Sequence, residues 1–307
     1  MPELPEVETT ARGLRPRLLG RSVVSVGGVD WPRMLPNTSE DELRVALVGQ
    51  AVSGVERRGK YLLLGFAECW LAIHRKMSGN LLLRPMGSPA ERHTHLELGF
   101  DDGWLLRFVD ARKFGRVYLF GSTAELDAFL AERLGPEPLD QLDADLLASL
   151  VRHRRARIKP LLLDQSFVAG IGNLYADEAL WAARVHPLRT ADSLSRDELR
   201  RLAAAIQRVL SQGIERRGTS FSNYRDADDT PGENQEFLNA YGRESQPCPR
   251  CGTPIARILI GQRSSYFCPR EQRLKRPAAS ESASRSGTGR PRPGGTLAAA
   301  TARAPRA

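Results

Sequence analysis

The 307-residue chain has few cysteines and no long apolar run, and its body lacks any marked excess of one charge. Four cysteines in a chain with no export signal argue against a disulfide framework. Cys69, inside Cys69-Trp70-Leu71-Ala72-Ile73, reads as a buried core thiol. The amino terminus is acidic and no apolar run approaches the roughly 18 residues of a membrane span, so neither a secretory leader nor a transmembrane segment is expected. The expected location is the cytoplasm. The net charge is +9, but residues 275–307 hold seven cations against Glu281, which leaves only +3 for the rest. Bulk charge is therefore a weak argument for a polyanionic partner. That same segment has almost no large apolar side chain, and it is expected to be disordered because it cannot offset its ordering entropy. No histidine follows His186, so the cysteine-rich region has no imidazole substitute nearby.

What the chain does have begins at its second residue. Trimming of Met1 from Met1-Pro2-Glu3 would leave Pro2 with a secondary amine beside a carboxylate. An α-amino group titrates near 8, so a useful fraction is neutral, and such an amine can attack a sugar carbon to form an iminium. The structural alternative is a helix start, with Pro5 in the first turn and Val7, Ala11, Leu14 and Leu18 on one face. From Ser22 to Phe120, seven short runs rich in Val, Leu and aromatics read as strands: 22–26, 61–66, 70–74, 81–84, 95–100, 104–109 and 116–120. Many strands without intervening helices favour a sandwich. After Gly121 the period becomes helical. Ser122-x-x-Glu125 and Ser195-x-x-Glu198 read as helix starts, with Gly135-Pro136 and Gly218 as stops.

Three local clusters are chemically suggestive. Five cations between Arg152 and Lys159 could contact phosphates or form a solvated face. Gly170-Ile171-Gly172-Asn173 could bring backbone amides to an anion or be an ordinary tight turn. Cys248-x2-Cys251 and Cys268 occupy an apparent hairpin, with arms at 255–260 and 265–267, which could hold a metal or stand by packing alone.

Five motifs now fall into order: Met1-Pro2-Glu3-Leu4-Pro5-Glu6, His74-Arg75-Lys76-Met77-Ser78-Gly79, Asp110-Ala111-Arg112-Lys113-Phe114-Gly115, Gly170-Ile171-Gly172-Asn173-Leu174-Tyr175 and Cys248-Pro249-Arg250-Cys251-Gly252. Together they resemble the formamidopyrimidine-DNA glycosylases, bacterial enzymes that excise oxidised purines, over residues 1 to about 273. The resemblance implies an α+β architecture. A β-sandwich domain with an amino-terminal helix is expected over 1–121, a helix–two-turn–helix domain over 122–235, a zinc-finger-like hairpin over 236–273 and a basic tail over 274–307. It makes Pro2 the nucleophile, Glu3 the general acid, Lys60 a lysine near the lesion, and Arg263 the hairpin arginine that grips flanking phosphates and assists elimination. By residue type alone, Lys60 and Arg263 would pass for surface charges.

Met77, Arg112 and Phe114 match the residues that fill the gap left by an extruded base, although Met77 and Phe114 could equally be core. His93, Arg112, Arg154 and Asn173 match DNA-backbone contacts, with Arg154 in place of the usual lysine. Thr219–Tyr224 matches the loop that closes over the flipped base. One structural zinc is implied on Cys248, Cys251 and Cys268, with Glu271 where the family has a fourth cysteine. The implied partner is damaged double-stranded DNA, bound by a monomer that associates with the bacterial nucleoid. The implied reaction is base excision followed by β,δ-elimination. Alternatives are an endonuclease VIII-like preference for oxidised pyrimidines and a DNA-binding relative without catalysis.

Overall fold

The computed structural model describes residues 2–221 and 224–274. The expectations attached to Met1 and to the basic tail from 275 onward therefore fall outside the described residues, as do Ser222 and Asn223 of the 219–224 loop. Helix α1 spans Leu4–Leu18, and the four residues expected to share a face are all buried. They close one side of a β-sandwich built from two antiparallel four-stranded sheets.

One sheet runs β1 (Val23–Gly27), β6 (Thr94–Phe100), β7 (Trp104–Val109), β5 (Asn80–Pro85). The other runs β2 (Gly54–Arg58), β3 (Tyr61–Gly65), β4 (Trp70–His74), β8 (Arg116–Phe120). The period of two along a strand decides what each residue meets. In β3, Leu62 and Leu64 enter the sandwich core, while Tyr61 and Leu63 face a second cluster with Leu126 and Leu130 of α3 (Thr123–Arg133). Both faces are covered, which is why this strand reads as continuously apolar. The sequence pattern passes over β2, whose Gly-Val-Glu-Arg-Arg is largely polar, and helix α2 (Glu40–Leu47), which Ser39 and Glu42 open with a capping box.

The remaining helices are α4 (Ala144–Val151), α5 (Ile158–Leu163), α6 (Asn173–Ala183) and α7 (Arg196–Glu215). Ser195 and Glu198 complete the capping box at α7. At α3 Ser122 accepts from Glu125 N, but the Glu125 carboxylate reaches Gly121 N instead of closing the box. Helix α6 is the post of this half, with nine of its eleven residues buried, Asp177 and Glu178 among them. The Glu178 carboxylate accepts from Asn239 N, Ala240 N and Tyr241 N, fastening the segment that leads to the hairpin of β9 (Ala256–Ile260) and β10 (Arg263–Phe267). Asp177 accepts from Tyr266 N at 3.0 Å and pairs with Lys159 at 2.7 Å. Lys159 also donates to Ser264 O and Ser265 Oγ. Its side chain is 1 % exposed, so of the five cations between 152 and 159 this one is an internal strut and not a surface charge.

Replacing Lys159 with Met leaves the Asp177 carboxylate buried without its countercharge, an error expected to cost about 3–5 kcal/mol. A Lys159→Met/Asp177→Leu pair removes both charges and is expected to cost less than the single change. Urea unfolding of the three proteins checks the order.

Candidate active site at the helix entry

The amino-terminal segment is held by the loop that enters α6. Leu4 N donates to Gly170 O at 3.0 Å. The Glu3 carboxylate accepts from Gly172 N at 2.7 Å, Leu174 N at 3.0 Å and Tyr175 N at 3.3 Å. These are amides of a helix first turn, which have no partners within the helix and sit at the positive end of its dipole. The glycines are there for close approach. A Cβ on Gly172 would lie 2.2 Å from Glu3 Cδ, and Gly170, at φ +83°, would place one 2.6 Å from Leu4 Cδ1. The anion that this Gly-x-Gly turn receives is the chain's own Glu3.

Glu6 lies one turn along α1 and was not singled out by the sequence reading. Its carboxylate accepts from Glu3 N at 2.8 Å, Thr219 N at 2.7 Å and the Tyr175 hydroxyl at 2.9 Å. Burial, with the Glu3 charge added, pushes its pKa up to about 7. The i, i+3 carboxylates at a helix start were the available signal. Pro2, Glu3 and Glu6 line an open cleft with Met77, Tyr175, Thr219, Phe221, Tyr224 and Tyr241.

Lys60 sits in the two-residue turn between β2 and β3, next to Gly59 at φ +55°. It is 7 % exposed. Burial pushes its ammonium below the ordinary lysine range, the Glu3 carboxylate pulls the other way, and the Arg263 guanidinium lowers it further. The turn is clamped from the helical half. Glu137 accepts from Gly59 N at 2.5 Å and pairs with Arg57 and Arg58, each at 2.8 Å, and Arg57 also reaches Glu8 of α1.

Arg263 is exposed beside the tight turn of the hairpin, where Gly261 and Gln262 both have positive φ, the backbone of a primed two-residue turn. Asn173 opens α6 and donates to Ser264 O across to that hairpin at 3.0 Å. Met77 and Phe114 are exposed at loop tips, 41 % and 43 %, and the Arg112 guanidinium lies over the Phe114 ring at 4.9 Å. His93 is half-buried in a left-handed backbone, and Arg154 is exposed with its guanidinium 5.4 Å from the Phe167 ring centre.

The sulfurs of Cys248, Cys251 and Cys268 lie within 4.8 Å of one another. A tetrahedral zinc with sulfur at about 2.3 Å needs sulfurs about 3.8 Å apart, so these three fit one ion. Glu271 is not brought into this group. Its Oε2 lies 2.9 Å from Arg184 Nε and 3.4 Å from Arg250 Nε, and two guanidiniums hold it on the α6 side of the hairpin. A fourth ligand is thus not shown, and the Glu271 carboxylate is occupied by these ion pairs. Beside it, Gln272 accepts from Cys268 N and donates to Val185 O, a second tie to the end of α6.

Residues 1–117 match the formamidopyrimidine-DNA glycosylase N-terminal domain, 134–225 the formamidopyrimidine-DNA glycosylase H2TH domain, and 245–270 a zinc finger found in FPG and IleRS. The formamidopyrimidine-DNA glycosylase of Herpetosiphon aurantiacus is 47% identical over 271 residues, covering 88% of this chain and 98% of that protein. That of Roseiflexus sp. is 46% identical over 275 residues, 89% and 100% respectively. Among solved structures, Lactococcus lactis Fpg bound to abasic-site DNA superposes with a TM-score of 0.83 at 36% identity, covering 89% of this chain and all of that one. The wild-type Lactococcus protein with N7-benzyl-Fapy-dG DNA gives the same TM-score, identity and coverage.

Glu6 yields a pH prediction. Its pKa is about 7 when folded against 4.5 as the ordinary value, so between these the folded state binds the extra proton. The stability it confers is complete below about 4.5 and is lost as pH rises to about 7, a fall on the order of 3 kcal/mol. Glu6→Gln is expected to remove that slope, read as a wild-type-minus-variant difference in unfolding free energy between pH 4.5 and 7.5.

Proposed function

The chain belongs to the formamidopyrimidine-DNA glycosylase family, whose members are DNA-repair enzymes for oxidised purines, and we propose that Pro2 is its nucleophile and Glu3 its acid. The protein is a DNA glycosylase that removes oxidised purines. The observation that supports the residue assignment best is the Glu3 carboxylate fixed by three backbone amides at the rim of the cleft that Pro2 lines.

A base inside a duplex has to be extruded before its glycosidic bond can be reached. Once it lies in the cleft, the Pro2 nitrogen attacks C1′, the C1′–N bond breaks with its electrons on the departing base, and that base takes up the proton shed by the Pro2 nitrogen. Glu3 protonates the deoxyribose ring oxygen as the ring opens, which leaves an iminium between Pro2 and C1′. The iminium acidifies the C2′ proton. Its removal expels the 3′ phosphate, and a second elimination expels the 5′ phosphate. Lys60, buried between the Glu3 and Arg263 charges, is suited to hold the lesion strand, and Arg263 to neutralise the flanking phosphate as it leaves.

His93, Arg154 and Asn173 are assigned to the DNA backbone, and Met77, Arg112 and Phe114 to the vacated space. The latter three are exposed at loop tips, where core residues would not be. A zinc ion held by Cys248, Cys251 and Cys268 would supply only cross-linking of the hairpin base; the lesion chemistry makes no use of it. Tyr266 and Gln272 also fasten the hairpin by contacts that need no metal.

Borohydride is expected to trap the protein on abasic-site DNA through Pro2, found by peptide mapping. Glu3→Gln should lose excision of 8-oxoguanine while keeping part of its cleavage of a preformed abasic site. Attachment through a lysine would overturn the assignment. For the metal, elemental analysis is expected to give at most one zinc per chain, unchanged in Glu271→Ala and lost in Cys268→Ser. Loss of zinc in Glu271→Ala would return that carboxylate to the ligand set.

A further inference from the structure

Two loops cross side by side between the sheets of the sandwich. Residues 75–79 lead from β4 to β5, and 110–115 lead from β7 to β8. Their ends are paired in both sheets, His74 with Arg116 on one side and Asn80 with Val109 on the other. At the tips Lys76 and Lys113 are both left-handed, at φ 53° and 55°, a backbone that ordinary side chains adopt only when held. Beneath them lies the Phe108 ring, so close that a Cβ on Gly79 or Gly115 would lie 2.8 or 2.3 Å from it.

One carboxylate joins the two loops. Asp110 is fully buried. Its Oδ1 accepts from Ser78 Oγ in the first loop and from Arg112 N at 3.3 Å in its own. Its Oδ2 accepts from Phe114 N at 2.9 Å and Gly115 N at 2.7 Å. The backbone of Asp110 is fixed as well, by donation to His93 O at 2.9 Å and acceptance from His95 Nε2 at 3.0 Å. All four side-chain bonds run into the carboxylate, so an ionised carboxylate suits the position and an amide does not.

We propose that Asp110 is a positioning residue that locks the Met77 loop to the Arg112–Phe114 loop, so that the three tips enter the duplex as one rigid wedge. The proposal rests on the gap-filling role given above to those tips. Asp110 is fully buried and is not itself part of the cleft lining, which it meets only through Ser78. An amide at this position would turn one oxygen into a donor facing either two backbone N–H groups or a hydroxyl and an N–H. The two loops would then move independently, and a displacement of about 1 Å is enough to cost on the order of a hundredfold in rate.

The test uses the full chain, with Asp110→Asn and the milder Ser78→Ala, which removes only the bond between loops. Single-turnover excision from an 8-oxoguanine:cytosine duplex should fall about a hundredfold in Asp110→Asn and about tenfold in Ser78→Ala. Borohydride trapping on single-stranded abasic DNA, which needs no wedge, should stay within about twofold in both. Fluorescence of 2-aminopurine placed beside the lesion reports extrusion without any chemistry, and its rise should be reduced in both variants. In a Met77→Ala background the further loss from Ser78→Ala should shrink, because the two changes disable one device. Equal losses in excision and trapping would overturn the proposal, as would unaltered 2-aminopurine signals. A wild-type protein that cannot be trapped would instead refute the Pro2 mechanism, and the fluorescence arm would still decide on the wedge.

Discussion

The functional geometry depends on one interaction, the Glu3 carboxylate seated on the first-turn amides of α6. A helix start offers N–H groups without internal partners, and a carboxylate satisfies them while gaining from the dipole. Such contacts usually receive a ligand or a local cap. Here the occupant comes from the opposite end of the domain sequence. The bond fixes the first residues against the helical half, and α6 in turn fixes the hairpin through Asp177 and the connecting segment through Glu178. Pro2, the base cleft and the Arg263 hairpin are thereby referred to one helix.

Around that seat the charges form a graded set. Glu3 and Glu6 are both buried, the Glu3 charge adds to the burial that raises the Glu6 pKa, and Lys60 is buried within their reach. Glu137 holds the Lys60 turn by its backbone and by the two arginines before it. A lysine on a free β-turn would stay in water. This one is kept out of water because ion pairs across the two halves leave the turn no other position.

Much of this was legible in the sequence, for reasons that can be named. Strand alternation and serine caps are local signals, and they located seven of the eight sandwich strands and the starts of α3 and α7. Pro2-Glu3 stood out because a helix start alone does not explain it, and both residues line the cleft. The misses were residues whose meaning is set by a distant partner. Strand β2 is polar because its arginines are matched by Glu137 and Glu8. Lys159 looked like one of a row of surface cations until Asp177 was seen beneath it. The ion pairs of Glu271 were not legible either, because its partners are Arg184, just past α6, and Arg250, between the first two cysteines. Asp110 was visible only as the first letter of a motif.

The seat of Glu3 also sets a schedule for the chain's birth. Its amide partners lie 169 to 172 residues downstream, so the first residues to leave the ribosome are among the last to be organised. At about 5–20 residues per second, that leaves on the order of ten seconds or more in which the terminus is loose. Once seated, Pro2 is buried in the wall of the cleft. Completion of the fold then sets the first residues into the wall of the cleft, so that the order in which that wall is built follows from chain length.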